Sequence, residues 1–369
     1  METYDVGSMP FEGDLKKFSE GATQLVSQQS KGKTHSLEDS AIYFERSVVD
    51  NFLDKIKAGI DIPNYPQFRD MVEMFFQMID GVEKLNGGYV EVEELSLIRE
   101  KADIPEVLAI RRNSKEVYER TNCAFRVKVC ITGPYTLASM FVHRRPQIYG
   151  MLGDVLSKVV EKNVFDEAYG RVEILAIDEP IFGLVDDPML DRGSEGRENL
   201  LHAWEIICHK ALARKAQTCL HLHSTANDLF WEVRSLRIIE SHVDDPLYSS
   251  KRTKKLIDST DKLLKASICL SNFDELIRRH LRSISKAVSE DLTQKVGEVW
   301  KEINKRKINP NIFLESIGSM RKRLQGIVEM FGSERVAYAG PECGLRSFPT
   351  YESAVECLRR VSRAAKIAE

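Results

Sequence analysis

No apolar run in this chain approaches the roughly 18 residues that a membrane-spanning helix needs. The opening Met-Glu-Thr-Tyr-Asp also lacks the basic and apolar regions of a signal peptide, so a cytoplasmic location is expected. Charge of one sign is lacking too. Lys and Arg number 53 against 56 Asp and Glu, for a net charge of -3, which leaves no basic footprint for nucleic acid. Cysteine is sparse and unpaired: residues 123, 130, 208, 219, 269, 343 and 357 are odd in number, scattered, and free of any CxxC pair. That excludes a disulfide framework and leaves most of these thiols as small buried hydrophobes. No GxGxxG follows the first predicted strand, so nothing supports a dinucleotide site. Internal repeats and low-complexity tracts are absent.

What is present is an ordinary composition, 43% hydrophobic over 369 residues, enough for one large α/β domain or two smaller ones. Short β-rich runs alternate with amphipathic helical stretches, which predicts parallel strands joined by crossover helices. The strand candidates are residues 4–8, 125–131, 172–177, 218–223, 235–240, 311–315 and 335–339. Most deliver a polar residue at or just past their C-terminal end, where a (β/α)8 barrel keeps its chemistry. The fold expected is therefore α/β, a (β/α)8 TIM barrel forming a single domain over 1–369. The stretch from about 242 to 308 breaks the rhythm, being rich in Lys, Arg, Glu and Asp and helical in pattern from Leu276 to Lys305. It is expected as an inserted helical element. Residues 26–37 are polar and turn-rich and are expected as a mobile loop near the first strand.

The residues that could carry chemistry cluster at strand ends. In the run Thr218–His223, side chains two apart share a face, so His221 and His223 point the same way. The next strand candidate ends at Glu240, and the last runs into Gly-Pro-Glu-Cys-Gly-Leu-Arg (340–346), which puts Cys343 just past a strand end. At the mouth of a barrel these ends can converge. Two imidazoles, a carboxylate and a thiolate suit Zn2+ in tetrahedral coordination.

These segments carry a resemblance. The GPECGLR run, Val-Gly-Ser-Met-Pro at 6–10, Asp-Met-Val-Glu-Met-Phe at 70–75, Gly-Pro-Tyr-Thr-Leu-Ala at 133–138, Ala-Ile-Asp-Glu-Pro at 176–180 and the HxH run are together similar to the catalytic barrel of the cobalamin-independent methionine synthase family. The similarity extends from Val6 to the end, apart from 242–308, and the length matches the short, single-barrel archaeal-type members. The resemblance implies a zinc held by His221, Glu240 and Cys343, with His223 where the family has a second cysteine. It implies that Ser8 holds the carboxylate of an amino acid substrate and that Asp178 pairs with its amino group. Gln67 stands nearest to a glutamate that the family uses on the same substrate, and Glu315 aligns with the family's acid–base histidine.

The activity implied is thiol methylation, with homocysteine as the acceptor and methionine as the product. Cys343, His221, His223 and Glu240 would hold the metal; Asp178 and Glu315 would act on protons and substrate. The methyl group comes from a separate carrier, a methyl-tetrahydropterin, methylcobalamin or a corrinoid protein docked on the 242–308 helices. Two other readings share the barrel: methyl transfer to another thiol such as coenzyme M, and a non-catalytic barrel that binds zinc or a corrinoid. No nucleic-acid or membrane partner is expected.

Overall fold

The structure is a computed structural model describing residues 1–30, 38–284 and 289–366. Its strands, in chain order, are β1 (Glu2–Thr3), β2 (Ile79–Leu85), β3 (Gly88–Leu97), β4 (Phe125–Thr132), β5 (Asp166–Glu167), β6 (Gly170–Glu179), β7 (Gln217–Leu222), β8 (Ile238–Glu240), β9 (Leu263–Cys269) and β10 (Val336–Pro341). Seven of them run parallel in the order β1-β10-β9-β8-β7-β6-β4. The two edges of this sheet are joined by the extended segment 62–64. Tyr4 bridges to Ile62 and Asn64 to Lys128, both in parallel. Ile62 donates its backbone N–H to Thr3 at 3.0 Å, and Lys128 donates to Pro63 at 3.0 Å. The result is the closed barrel of parallel strands expected from the sequence, with the antiparallel hairpin β2–β3 apart from it and β5 paired antiparallel on β6.

The barrel forms because its strands are buried on both faces, as parallel strands covered by helices are, with one face apolar and the other carrying polar residues such as Lys128, His221 and Lys265. Val127, Val129 and Ile131 of β4, Ile174 to Ile177 of β6, and Leu220 and Leu222 of β7 are all buried. Helices Ile148–Asn163, Glu195–Ala213, Ile317–Phe331 and Tyr351–Lys366 pack around the wall. Two of them start on a serine that accepts a backbone N–H at the open first turn: Ser194 from Arg197 at 3.2 Å, and Ser316 from Ser319 at 3.1 Å.

Several expectations need correction. The stretch 242–308 is not an insertion as a whole, because it contains barrel strand β9, with helices Lys251–Thr260, Phe273–Ile284 and Ser289–Asn304 around it. The candidate at 311–315 is no strand; it begins with a single 3-10 turn, Pro310–Ile312, and buries Phe313 and Leu314. The first strand lies at Glu2–Thr3 rather than 4–8, and of 235–240 only Ile238–Glu240 pairs in the sheet. Of the loop expected over 26–37, residues 26–30 end the helix Leu15–Ser30, and the rest lie outside the described residues.

Candidate metal centre and substrate pocket

Strands β7, β8 and β10 deliver their ends to one point at the mouth of the barrel. His221 faces inward from β7, and His223 follows just past that strand's end. Glu240 closes β8 and is paired in register with His221. Cys343 follows β10 by two residues. A residue not anticipated from the sequence, His242, joins them. One ligand atom from each of His221, His223, His242 and Cys343 lies within 4.8 Å of the others. The His223 and His242 rings sit 4.1 Å apart, and Cys343 Sγ is 3.6 Å from His223 Nε2.

The chemistry of these donors fits a borderline-soft cation. The Nε2 atoms of His221 and His242 are buried and have no hydrogen-bond partner among the described residues, a state that buried polar groups rarely tolerate without a ligand. Burial lowers the pKa of all three imidazoles, that of His223 to about 3, helped by repulsion from its two neighbours. The rings are thus neutral, with lone pairs free to coordinate. Burial pushes the Cys343 thiol up to about 12, so a bound cation must displace its proton.

Glu240 is wholly buried beneath this cluster. Its carboxylate meets Nδ1 of His221 at 3.0 Å, Lys265 Nζ at 2.9 Å and Lys128 Nζ at 3.6 Å. Burial alone would raise its pKa, but Lys265, Lys128 and the His221 contact hold it well below the usual carboxylate range. Both ammonium groups also lie over the Tyr4 ring, Lys128 at 4.8 Å and Lys265 at 5.5 Å from its centroid. These lysines were missed in the sequence, although a Lys between buried Val127 and Val129 in a parallel strand is a signal in itself.

Beside the cluster, a chain of contacts links Ser8, Gln67 and Asp178. Ser8 bridges to Gln67. Gln67 Nε2 lies 2.7 Å from Cys130 Sγ, and that thiol neighbours Asp178. Asp178 is buried, its Oδ1 has no hydrogen-bond partner among the described residues, and burial raises its pKa to about 7 against the pull of Lys128. The loop carrying Cys343 packs directly on Ser8: a Cβ on Gly344 would sit 1.9 Å from Ser8 Oγ, and Leu345 donates its N–H to the Ser8 carbonyl at 2.7 Å. Glu315 is not brought here. It is ion-paired with Arg323 at 2.8 Å and accepts the Leu270 N–H at 2.8 Å.

Comparison with solved structures decides what this barrel is like. A B12-independent methionine synthase from Shewanella sp. W3-18-1, solved with selenomethionine, superposes over 99% of this chain and 96% of its own, with a TM-score of 0.58 and 14% identity. The chain is similar to the cobalamin-independent methionine synthases. Among curated proteins, 5-methyltetrahydropteroyltriglutamate–homocysteine methyltransferases of Coxiella burnetii strains CbuK_Q154 and RSA 493 / Nine Mile phase I are each 20% identical over 347 residues, covering 89% of this chain. The chain spans about 38% of the length of these curated relatives. No protein-family model matches it. No helix among the described residues is long and apolar enough to cross a membrane.

Proposed function

We propose that this chain is a methyltransferase that moves a methyl group from a methyl-tetrahydropteroyl donor to the thiol of homocysteine. The observation that carries the reading is the adjacency of two chemistries: a His and Cys cluster fit for zinc, and beside it Ser8 and a buried Asp178 whose Oδ1 has no hydrogen-bond partner among the described residues. A cation at the cluster, zinc by the nature of its donors, would supply the Lewis acidity that brings a substrate thiol to thiolate near neutral pH. His221, His223 and Cys343 would hold it. Asp178 receives the substrate ammonium, which stabilises the ionised carboxylate in its buried place. Ser8 orients the substrate carboxylate through its hydroxyl and the backbone around it, and the barrel wall excludes water from the nucleophile.

The donor follows from the relatives, which are named for a methylated pteroyltriglutamate. The corrinoid donor considered from the charged 242–308 stretch finds no support, since the structural relative is named B12-independent. Gln67 keeps a second acceptor in view, because its amide offers no charge to an ammonium. A thiol without an amino group, such as coenzyme M, would need none.

The test is methyl transfer from methyltetrahydropteroyltriglutamate with homocysteine and coenzyme M as parallel acceptors. Methionine formation that falls at least tenfold in Asp178→Asn supports the reading. Transfer to coenzyme M alone would reassign the acceptor, and transfer to neither would overturn the enzyme reading.

A further inference from the structure

Resting on that reading of the site, we infer that His242, and not Glu240, completes the metal set, and that Glu240 is a positioning residue held between two buried lysines to aim His221. The centre is thus three imidazoles and one thiolate, where the likeness to the methionine synthases implies a carboxylate ligand.

Four observations carry this. First, the ligand atoms that lie within 4.8 Å of one another belong to His221, His223, His242 and Cys343; Glu240 is not among them. Second, Nε2 of His242 is buried without a hydrogen-bond partner among the described residues, as is Nε2 of His221. Third, Glu240 meets Nδ1 of His221 through Oε1 at 3.0 Å, and its Oε2, which makes no hydrogen bond among the described residues, is held by the charge of Lys265 at 2.9 Å, with Lys128 at 3.6 Å from Oε1. An ionised carboxylate only accepts, so Nδ1 of His221 carries the proton and Nε2 is the free donor atom. A carboxylate behind a metal-binding histidine fixes its tautomer and direction in this way. Fourth, Lys128 and Lys265 are both fully buried and share Glu240 as counter-ion. Moving that carboxylate onto a cation would leave two buried ammonium groups short of compensation, a heavy penalty in an apolar interior.

The consequence is electrostatic. Three neutral rings and one thiolate around a dication leave a formal charge of +1, where a carboxylate in place of one ring would leave zero. One incoming thiolate then brings the centre to neutrality, so the site is matched to a single anionic sulfur.

X-ray absorption at the zinc edge of the zinc-loaded wild-type chain tests the assignment directly. Three imidazoles and one sulfur are expected; two imidazoles, one sulfur and a carboxylate oxygen would overturn it. In chelator competition, His242→Ala should weaken zinc binding more than about 100-fold. Glu240→Gln should stay within the roughly 10- to 100-fold typical of an outer partner and keep the wild-type absorption shell. Zinc bound through Cys343 but indifferent to His242→Ala would overturn this inference and leave the proposed function standing; a wild-type chain that binds no zinc would sink both. Where a variant fails to fold by circular dichroism, the wild-type absorption spectrum decides.

Discussion

Glu240 lies 3.0 Å from Nδ1 of His221 at adjacent strand ends that are paired in register. This contact joins the buried charge network under the barrel mouth to the open donor atoms above it.

The lysine clamp makes a stability prediction. Lys265→Met in the zinc-free chain removes the nearer of two cations from a carboxylate with no exposure. Breaking a buried pair from one side costs about 3–5 kcal/mol. Urea unfolding should show a loss of that size, whereas exposed Lys254→Met should stay within about 0.5 kcal/mol. A Lys265→Met loss below about 1 kcal/mol would contradict the clamp.

Zinc affinity should rise with pH, and the sign follows from Cys343. Its thiol, pushed up to about 12, is protonated throughout the neutral range, whereas His223, lowered to about 3, is already neutral there. Each zinc bound therefore releases close to one proton, and the apparent Kd should fall about tenfold per pH unit between pH 6 and 8. Calorimetry in two buffers of different ionisation enthalpy counts that proton directly. A pH-independent Kd would contradict the thiolate assignment.

Gly344→Ala should affect substrate more than metal. The added methyl group would fall 1.9 Å from Ser8 Oγ, so Ser8 or the loop must shift. The KM for the amino acid acceptor is expected to rise about tenfold, roughly 1.4 kcal/mol of binding, with zinc content unchanged. An unaltered KM would remove Ser8 from the substrate pocket.

Glu179, next to Asp178 in sequence, has a structural task. Its carboxylate accepts from the Tyr135 and Thr136 backbone at 2.9 and 2.7 Å, from Thr136 Oγ1 at 2.6 Å and from Trp204 Nε1 at 2.9 Å. Glu179→Gln would set an amide NH2 against these donors and should cost about 1–3 kcal/mol, read as a lower thermal midpoint with the acceptor KM little changed. A preserved midpoint with lost activity would move Glu179 into the chemistry.

Much of this is legible in the sequence. Strands β4, β6, β7 and β10 are long and apolar, and the resemblance covered the segments that place Ser8, Asp178, His221 and Cys343. Strand β9 is hidden because Lys265 within it and Lys262 just before it make the segment read as charged surface, when both are buried. Lys262 turns its ammonium to the carbonyls of Val233 and Leu236, and Lys265 turns inward to Glu240. The run at 311–315 misled in the opposite sense: Phe313 and Leu314 are buried from a turn rather than a strand. His242 carried a signal that went unused. It stands two residues beyond Glu240, the spacing that singles out His221 and His223, and like His223 it lies just past the end of its strand.

The most direct test of the central claim is the zinc content of the purified chain by elemental analysis, wild type beside Cys343→Ala. The account predicts about one zinc per chain, lost in the variant. A chain without zinc, or with zinc indifferent to Cys343, would contradict it.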